Sequence, residues 1–256
     1  MTADHVPQEL FKYFQVHRRV AIAFSGGVDS SYLLYAAKAC NIDVRAYTVE
    51  NPFRSPVERR NSEAVCELLG VHPTVLEINT LDDPSITANP PERCYLCKKL
   101  VFSAIVRRAW RDGFKLIADA TNATDDPDTR PGMKAVESMG ICSPLRDVGL
   151  TKQEIRDLAR EAGLPNWDTP SDSCLATRIA TGTPITTEAL RRTADVEEML
   201  RGLGFNGIRA RTESDGSCNL EVPPEQDALL EEKKDAVESV LKSNYPSFRF
   251  SVRRAV

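Results

Sequence analysis

The chain has 256 residues, 41% of them hydrophobic, with a formal net charge of −4 and seven cysteines. That length suits one large or two modest domains of roughly 100–200 residues each, and the acidic balance argues against a surface built to coat nucleic acid. No apolar run reaches the roughly 18 residues of a membrane span; the N-terminal stretch lacks a secretory pattern and the odd cysteine count argues against a disulfide framework, so a cytoplasmic protein with reduced thiols is expected.

Residues 20–24 (VAIAF) form a short apolar run that predicts a strand, and residues 30–40 carry Leu33, Leu34, Ala36 and Ala37 at helical spacing. Residues 44–49 predict a strand, 56–69 a helix opened by Pro56 and closed by Gly70, and 74–78 a strand. Residues 96–110 predict a helix, 115–118 a strand, and 151–162 a helix with Thr151 and Glu154 spaced as a capping box. This alternation predicts an α/β fold, a parallel sheet with helices on both faces. Ligands in such folds bind beyond the carboxyl ends of the strands, where SGGVDS (25–30) and DATNATDDPDTR (119–130) both fall. Pro165, Pro170, Gly182 and Pro184 then interrupt regular structure. After them come a helix (187–203), strands (208–212 and 219–222), a helix (224–242) and a strand (248–253), a smaller C-terminal α+β domain. The expected organisation is 1–165 for the first domain, 166–184 for a junction and 185–256 for a second domain.

Ser25, Gly26, Gly27, Val28, Asp29 and Ser30 stand between a predicted strand and a predicted helix. Adjacent glycines allow φ > 0 and let backbone N–H groups converge, and the helix start favours an anion. Asp29 suits that setting if it holds Mg²⁺ bridging to phosphates. A Walker A loop needs a Gly-Lys pair, which the chain lacks, and the GxGxxG fingerprint is absent too. SGGVDS resembles the PP-loop of the N-type ATP pyrophosphatases. The resemblance implies cleavage of ATP between its α- and β-phosphates and adenylation of a substrate oxygen, which turns it into a good leaving group.

Cys94 and Cys97 form a CxxC pair at the start of a predicted helix, beside Lys98 and Lys99. A zinc half-site, a redox pair and an iron–sulfur site all fit that spacing. Cys174 sits in PSDSCLATR within the irregular junction, while Cys40, Cys66 and Cys142 fall in helix or strand patterns that suit core packing. With no second CxxC, three thiolates suit a 4Fe-4S cluster with one open iron.

SGGVDSS (25–31), RCYLCK (93–98), DATNATDDPDTRPG (119–132), SPLRDVGLTKQEIRDLAR (143–160), GLPNWDTPSDSCLATRI (163–179) and RAR (209–211) together resemble the LarE-type ATP-dependent sulfur transferases. The resemblance implies adenylation of a carboxylate of pyridinium-3,5-biscarboxylic acid mononucleotide, followed by sulfur insertion on the way to the nickel-pincer nucleotide. One branch of that family sacrifices the sulfur of its junction cysteine; the other holds a 4Fe-4S cluster on three cysteines, and Cys94, Cys97 and Cys174 match the latter. Sacrificial transfer from Cys174 and tRNA thiolation by the same ATP chemistry are the alternatives. Thr48 and Asn122 are expected on the nucleotide side, Arg130, before Pro131-Gly132, is placed to reach phosphate, and the paired Arg209 and Arg211 suit a substrate phosphate or carboxylates; a sulfide donor and a homo-oligomer are expected too. Asp119, Asn122, Asp125 and Asp126 suit either a metal or turns around Pro127. Arg209 and Arg211 alternate on a strand and so share a face, and Glu197 on the preceding helix is placed to pair with them or hold a metal. The family's Gly-Thr-Asn is Ala120-Thr121-Asn122 here, and the serine before Arg178 is Thr177.

Overall fold

The structure is a computed structural model that describes residues 2–126, 132–170 and 172–253. In chain order the elements are α1 (Gln8–Val16), β1 (Arg19–Ala23), α2 (Val28–Ala39), β2 (Asp43–Glu50), α3 (Pro56–Leu69), β3 (Thr74–Glu77), α4 (Pro84–Thr87), α5 (Arg93–Arg111), β4 (Leu116–Ala118), α6 (Gly132–Ser138), α7 (Pro144–Asp147), α8 (Lys152–Glu161), α9 (Thr187–Gly202), β5 (Arg209–Thr212), β6 (Cys218–Val222), α10 (Asp227–Glu232), α11 (Lys234–Asn244) and β7 (Phe248–Val252). The chain divides into two compact units. One comprises Met1–Asn51, Val57–Ile78 and Glu92–Thr169; the other comprises Pro52–Pro56, Asn79–Pro91 and Pro170–Val256.

The first unit is built on a parallel sheet of order β3-β2-β1-β4. Side chains alternate across its faces, as the strand period of two requires. Val20, Ile22, Ala46 and Ala118 enter one core with Leu10, Phe14, Leu33, Ile155 and Leu164. Ala21, Tyr47 and Ile117 enter another with Phe102, Ile105, Ala109 and Phe114. Both faces are covered, so the central strands β1 and β4 read as apolar runs, RVAIA and LIA, rather than an apolar–polar alternation. The chain moves outward from β1 through β2 to β3, then returns to place β4 on the other side of β1. That reversal opens a crevice beyond the carboxyl ends of β1 and β4, where the Ser25–Ser30 and Asp119–Asp126 loops begin. The structure adds helix α1, which the sequence patterning above does not predict. Its Leu10 and Phe14, one turn apart, are both fully buried.

The second unit holds a sheet of order β5-β6-β7, antiparallel then parallel. Val196 and Leu200 of α9 and Val237 and Leu241 of α11 pack onto Ala210, Cys218, Leu220 and Val222. The single helix expected over 224–242 is instead a 3-10 turn (Pro224–Gln226), α10 and α11. Lys233 breaks it at φ −108° and ψ 17°, and its Nζ donates to the Leu203 carbonyl at 2.8 Å. Among the described residues no helix is long and apolar enough to cross a membrane.

Candidate functional site

In the first unit β1 delivers the chain into the Ser25–Ser30 loop, and α2 starts at Val28 with Gly27 as its N-cap. The two glycines differ. Gly26 has φ +90°, and a Cβ there would lie 2.6 Å from the Glu58 carbonyl oxygen and 2.7 Å from Ser62 Cβ. Gly27 has φ −70°, and a Cβ there would meet only Ser25 Oγ, at 3.5 Å. The expectation that both glycines supply φ > 0 holds for Gly26 alone. Gly26 is required by the chain's own packing, whereas the bare, exposed Cα of Gly27 leaves room for something outside the chain.

The loop's polar groups satisfy one another. Ser30 Oγ donates to the Gly27 carbonyl at 3.0 Å and receives the Ser25 N–H at 3.3 Å, while the Gly27 N–H donates to Ser25 Oγ at 3.2 Å. Thr48, buried on β2, donates to the Phe24 carbonyl at the base of the loop (2.9 Å). Asn166, only 1% exposed, reaches the loop from 140 residues away. Its Nδ2 donates to the Gly26 carbonyl at 2.8 Å and to Ser31 Oγ at 2.9 Å.

Lys152, the first residue of α8, places its Nζ 2.6 Å from Asp29 Oδ2. The lysine absent from the loop's own sequence therefore stands beside it. The helix start is set by a capping box in which Thr151 and Glu154 bond each other's backbone N–H groups. It is also tied to the second loop of the crevice. The Lys152 N–H donates to Thr124 Oγ1 (3.3 Å) and Thr124 Oγ1 donates to Asn122 Oδ1 (2.6 Å). The Asn122 N–H in turn donates to Asp125 Oδ2 at 3.1 Å. Asp119 accepts from Thr121 Oγ1 and Ser143 Oγ at 2.5 and 2.6 Å. Asp119, Asn122 and Asp125 are thus engaged in shaping the loop. Arg130 and Ser171 lie outside the described residues.

Cys94 and Cys97 fall in the opening turns of α5, and both are half-buried thiols outside any disulfide. Buried Arg93 donates from Nη2 to Cys94 Sγ at 3.4 Å. Cys174 belongs to the second unit, at the N-cap of a 3-10 turn over Leu175–Arg178. It too is a half-buried thiol. Soft sulfur donors suit iron, and Cys94 and Cys97 supply two from one helix. No group of three or more His, Cys, Asp or Glu is gathered as a metal site among the described residues.

Glu197 does not pair with Arg209 or Arg211. Its Oε1 and Oε2 take Nε and Nη2 of Arg178 at 2.9 and 3.2 Å, and Oε1 also accepts the Ala210 N–H at 3.0 Å. The sequence places Glu197 to pair with Arg209 and Arg211 or hold a metal; the guanidinium of the 3-10 turn instead presents a planar fork to it. Arg211 pairs with Glu221 at 2.6 Å and donates to the Thr177 carbonyl at 2.7 Å. Arg209 is buried. Burial, and then Arg253, Arg178 and Arg211, push its guanidinium down to about 10. Such a cation is stabilised by an added anion. Lys152, Asn166 and Arg178 were not singled out from sequence, although all three fall within the stretches LTKQE, GLPNW and CLATR that carry the resemblance.

The asparagine synthase family matches residues 14–89 of this chain, which span β1 and the loop after it. An uncharacterized protein of Synechocystis sp. is 34% identical over 220 residues, 86% of this chain and 82% of that one. A protein of Lactiplantibacillus plantarum named pyridinium-3,5-bisthiocarboxylic acid mononucleotide synthase is 30% identical over 208 residues, 80% of this chain and 75% of that one. An uncharacterized protein of Methanocaldococcus jannaschii is 27% identical over 221 residues, 86% of this chain and 84% of that one. With the strand–loop–helix of β1 and α2, these likenesses establish an ATP-using enzyme, and the chain belongs to the LarE-type family of PP-loop ATP-dependent sulfurtransferases.

Proposed function

We propose that this enzyme adenylates a carboxylate of pyridinium-3,5-biscarboxylic acid mononucleotide and replaces the activated oxygen with sulfur. In the first step a carboxylate oxygen attacks the α-phosphorus of ATP, forming an acyl-adenylate and releasing pyrophosphate. In the second, sulfur adds to the acyl carbon and AMP leaves. The observation that carries this reading is the Gly26–Gly27 loop, packed from within at Gly26 and open at Gly27, with Lys152 at its rim. The Gly27 N–H and the Ser25 and Ser30 hydroxyls would turn from one another to the β- and γ-phosphates, with Lys152 as a further cation. Thr48, Asn122 and Arg130 are assigned to the nucleotide side.

Asp29, a hard oxygen donor, would hold Mg²⁺ and neutralise phosphate charge. Cys94, Cys97 and Cys174 would hold a 4Fe-4S cluster, which when bound would supply a nucleophilic sulfide. Buried Arg209, whose charge an anion would stabilise, and Arg211 are assigned to the substrate's phosphate. Residues 1–165 act in this reading as the ATP domain, 166–184 as the cysteine-bearing junction and 185–256 as the substrate and oligomerisation domain. A separate sulfide donor and a homo-oligomer complete it.

Anaerobic turnover with ATP, sulfide and the biscarboxylate nucleotide tests the proposal. AMP, pyrophosphate and an oxygen-to-sulfur mass gain in the nucleotide are expected, with iron and sulfide bound to the protein in a manner dependent on all three cysteines. Loss of H₂S from Cys174 with each sulfur transferred would replace the cluster with sacrificial transfer. AMP formation with tRNA but not with the pyridinium nucleotide would overturn the substrate assignment.

A further inference from the structure

Arg178 is the largest fully buried side chain among the described residues, 1% exposed. The two carboxylates it meets, Glu197 and Asp172, more than offset the burial that would pull its guanidinium down, so it is held above its ordinary value and stays charged. Its partners fall into two groups. Glu197 takes Nε and Nη2 in a fork and anchors the guanidinium to α9 and β5. The remaining bonds go to the turn that bears Cys174. Nη2 donates to Asp172 Oδ1 at 2.6 Å, and Nη1 donates to the Ser173 carbonyl at 2.6 Å, to Ser173 Oγ at 2.8 Å and to Thr177 Oγ1 at 3.2 Å.

These bonds converge on one residue. The Thr177 hydroxyl donates to the Cys174 carbonyl at 2.7 Å and the Thr177 N–H donates to the same oxygen at 2.9 Å. The turn is held from outside as well. The Leu175 N–H donates to the Phe53 carbonyl at 2.8 Å, and Ser55 Oγ donates to Asp172 Oδ2 at 2.8 Å. Donors and acceptors thus run in one direction, from guanidinium to Thr177 hydroxyl to Cys174 carbonyl, with Ser173 and Asp172 gripped on the preceding side. A residue needed only for packing would not require a planar five-donor fork directed at the residues on both sides of one thiol.

We propose that Arg178 is a positioning residue for Cys174, clamping the Asp172–Thr177 turn so that the thiol is presented in one place for sulfur transfer. The proposal rests on the reading above that sulfur is delivered at the site Cys174 helps to form. Arg178 touches neither substrate nor sulfur in this role; it acts through the turn.

The test uses the full-length protein carrying Arg178→Lys or Thr177→Val, with Cys174→Ala as reference. Lysine keeps the charge and loses the fork. Valine leaves Arg178 in place and removes the hydroxyl link. Pyrophosphate release, sulfur transfer to the nucleotide, and the pH profile of iodoacetamide labelling at the Cys174 peptide are read for each. Both variants are expected to keep pyrophosphate release within about twofold and to lose sulfur transfer by roughly 10–100-fold, the scale of a misplaced reacting group. The labelling rate of Cys174 is expected to change with them.

Equal loss of both half-reactions in both variants would mark a merely structural role and overturn the proposal. So would labelling and transfer at wild-type rates while Cys174→Ala abolishes transfer. If Arg178→Lys fails to fold, Thr177→Val decides alone by the same outcomes. If Cys174→Ala still transfers sulfur, the reading of Cys174 falls, and the labelling profile by itself upholds or overturns the clamp.

Discussion

The two glycines of the phosphate loop should respond oppositely to one added methyl group. In Gly26→Ala the new Cβ sits 2.6 Å from the Glu58 carbonyl, 2.7 Å from Ser62 Cβ and 2.9 Å from the Ser62 nitrogen. Neither backbone can swing aside as a flexible side chain would. The left-handed φ of +90° costs an L-residue about 1–2 kcal/mol, and overpacking adds about 1–3 kcal/mol. A loss of roughly 2–5 kcal/mol is expected, a large share of the 5–15 kcal/mol that holds a typical domain together. In Gly27→Ala, φ is −70° and the nearest atom is 3.5 Å away. The entropy taken from the unfolded chain stabilises by about 0.4–1 kcal/mol, and loss of a favourable glycine N-cap offsets part of it. Stability should then lie within about 1 kcal/mol of wild type, while the methyl group blocks the phosphates. Urea unfolding and the thermal shift on adding ATP separate the two effects. Saturation at a hundredfold excess over Kd should add about 2.7 kcal/mol to the wild type and little to Gly27→Ala. A Gly26→Ala protein as stable as wild type, or a Gly27→Ala protein with wild-type ATP affinity, would refute this division of labour between the two glycines.

Lys152→Met removes the cation beside Asp29. The pair is partly exposed, 30% and 22% at the two side chains, so stability should fall by no more than about 1 kcal/mol; the KM for ATP in a pyrophosphate-release assay should rise about tenfold, equivalent to about 1.4 kcal/mol. Thr151→Ala dissolves the capping box of α8 and should cost about 0.5–2 kcal/mol in urea unfolding. The Thr151 hydroxyl and N–H hold the Glu154 carboxyl below its ordinary value, which stabilises above the ordinary carboxylate range and is lost as pH falls through the folded value. The variant should therefore show a flatter acid-side decline. Burial pushes Cys40 up to about 11; burial, and then Glu197 and Glu213, push Cys218 up to about 12. Both thiols should stay neutral and unlabelled by iodoacetamide in the native protein at pH 8, as peptide mass spectrometry would show. Their contribution to stability is held below the unfolded thiol value and lost as pH rises through 11 to 12.

What could be read from sequence was local. An apolar run, a glycine-rich turn and a helical period sit side by side in VAIAFSGGVDSSYLL, so β1, its loop and α2 follow from neighbouring residues alone. The capping box at Thr151 and Glu154 and the Pro56-to-Gly70 frame of α3 were legible for the same reason. The break at Lys233 was not: no Gly or Pro marks it, and the side chain there bonds the Leu203 carbonyl thirty residues earlier. Glu197 illustrates the same limit. Nearness in sequence favoured Arg209 and Arg211, while the fold brings it the Arg178 fork, nineteen residues upstream.

Lys152 reaches the loop from far along the chain. A P-loop brings its lysine in the same few residues as its glycines, so composition alone reveals it. Here the cation arrives on the first turn of α8, 123 residues from Asp29, and Asn166 comes from further still. Both depend on Ile155 and Ala159 of α8 and Leu164 just after it, which enter the same core as α2, so a lysine in LTKQE has no local signature of its place beside the loop. Lys152 sits on a helix separate from the loop and is paired there with Asp29. An Asp29→Asn protein separates the two duties assigned to that carboxylate. If Asp29 chiefly retains Lys152, the variant should bind ATP in EDTA at least as well as wild type. If it chiefly holds Mg²⁺, the loss should appear only when Mg²⁺ is present.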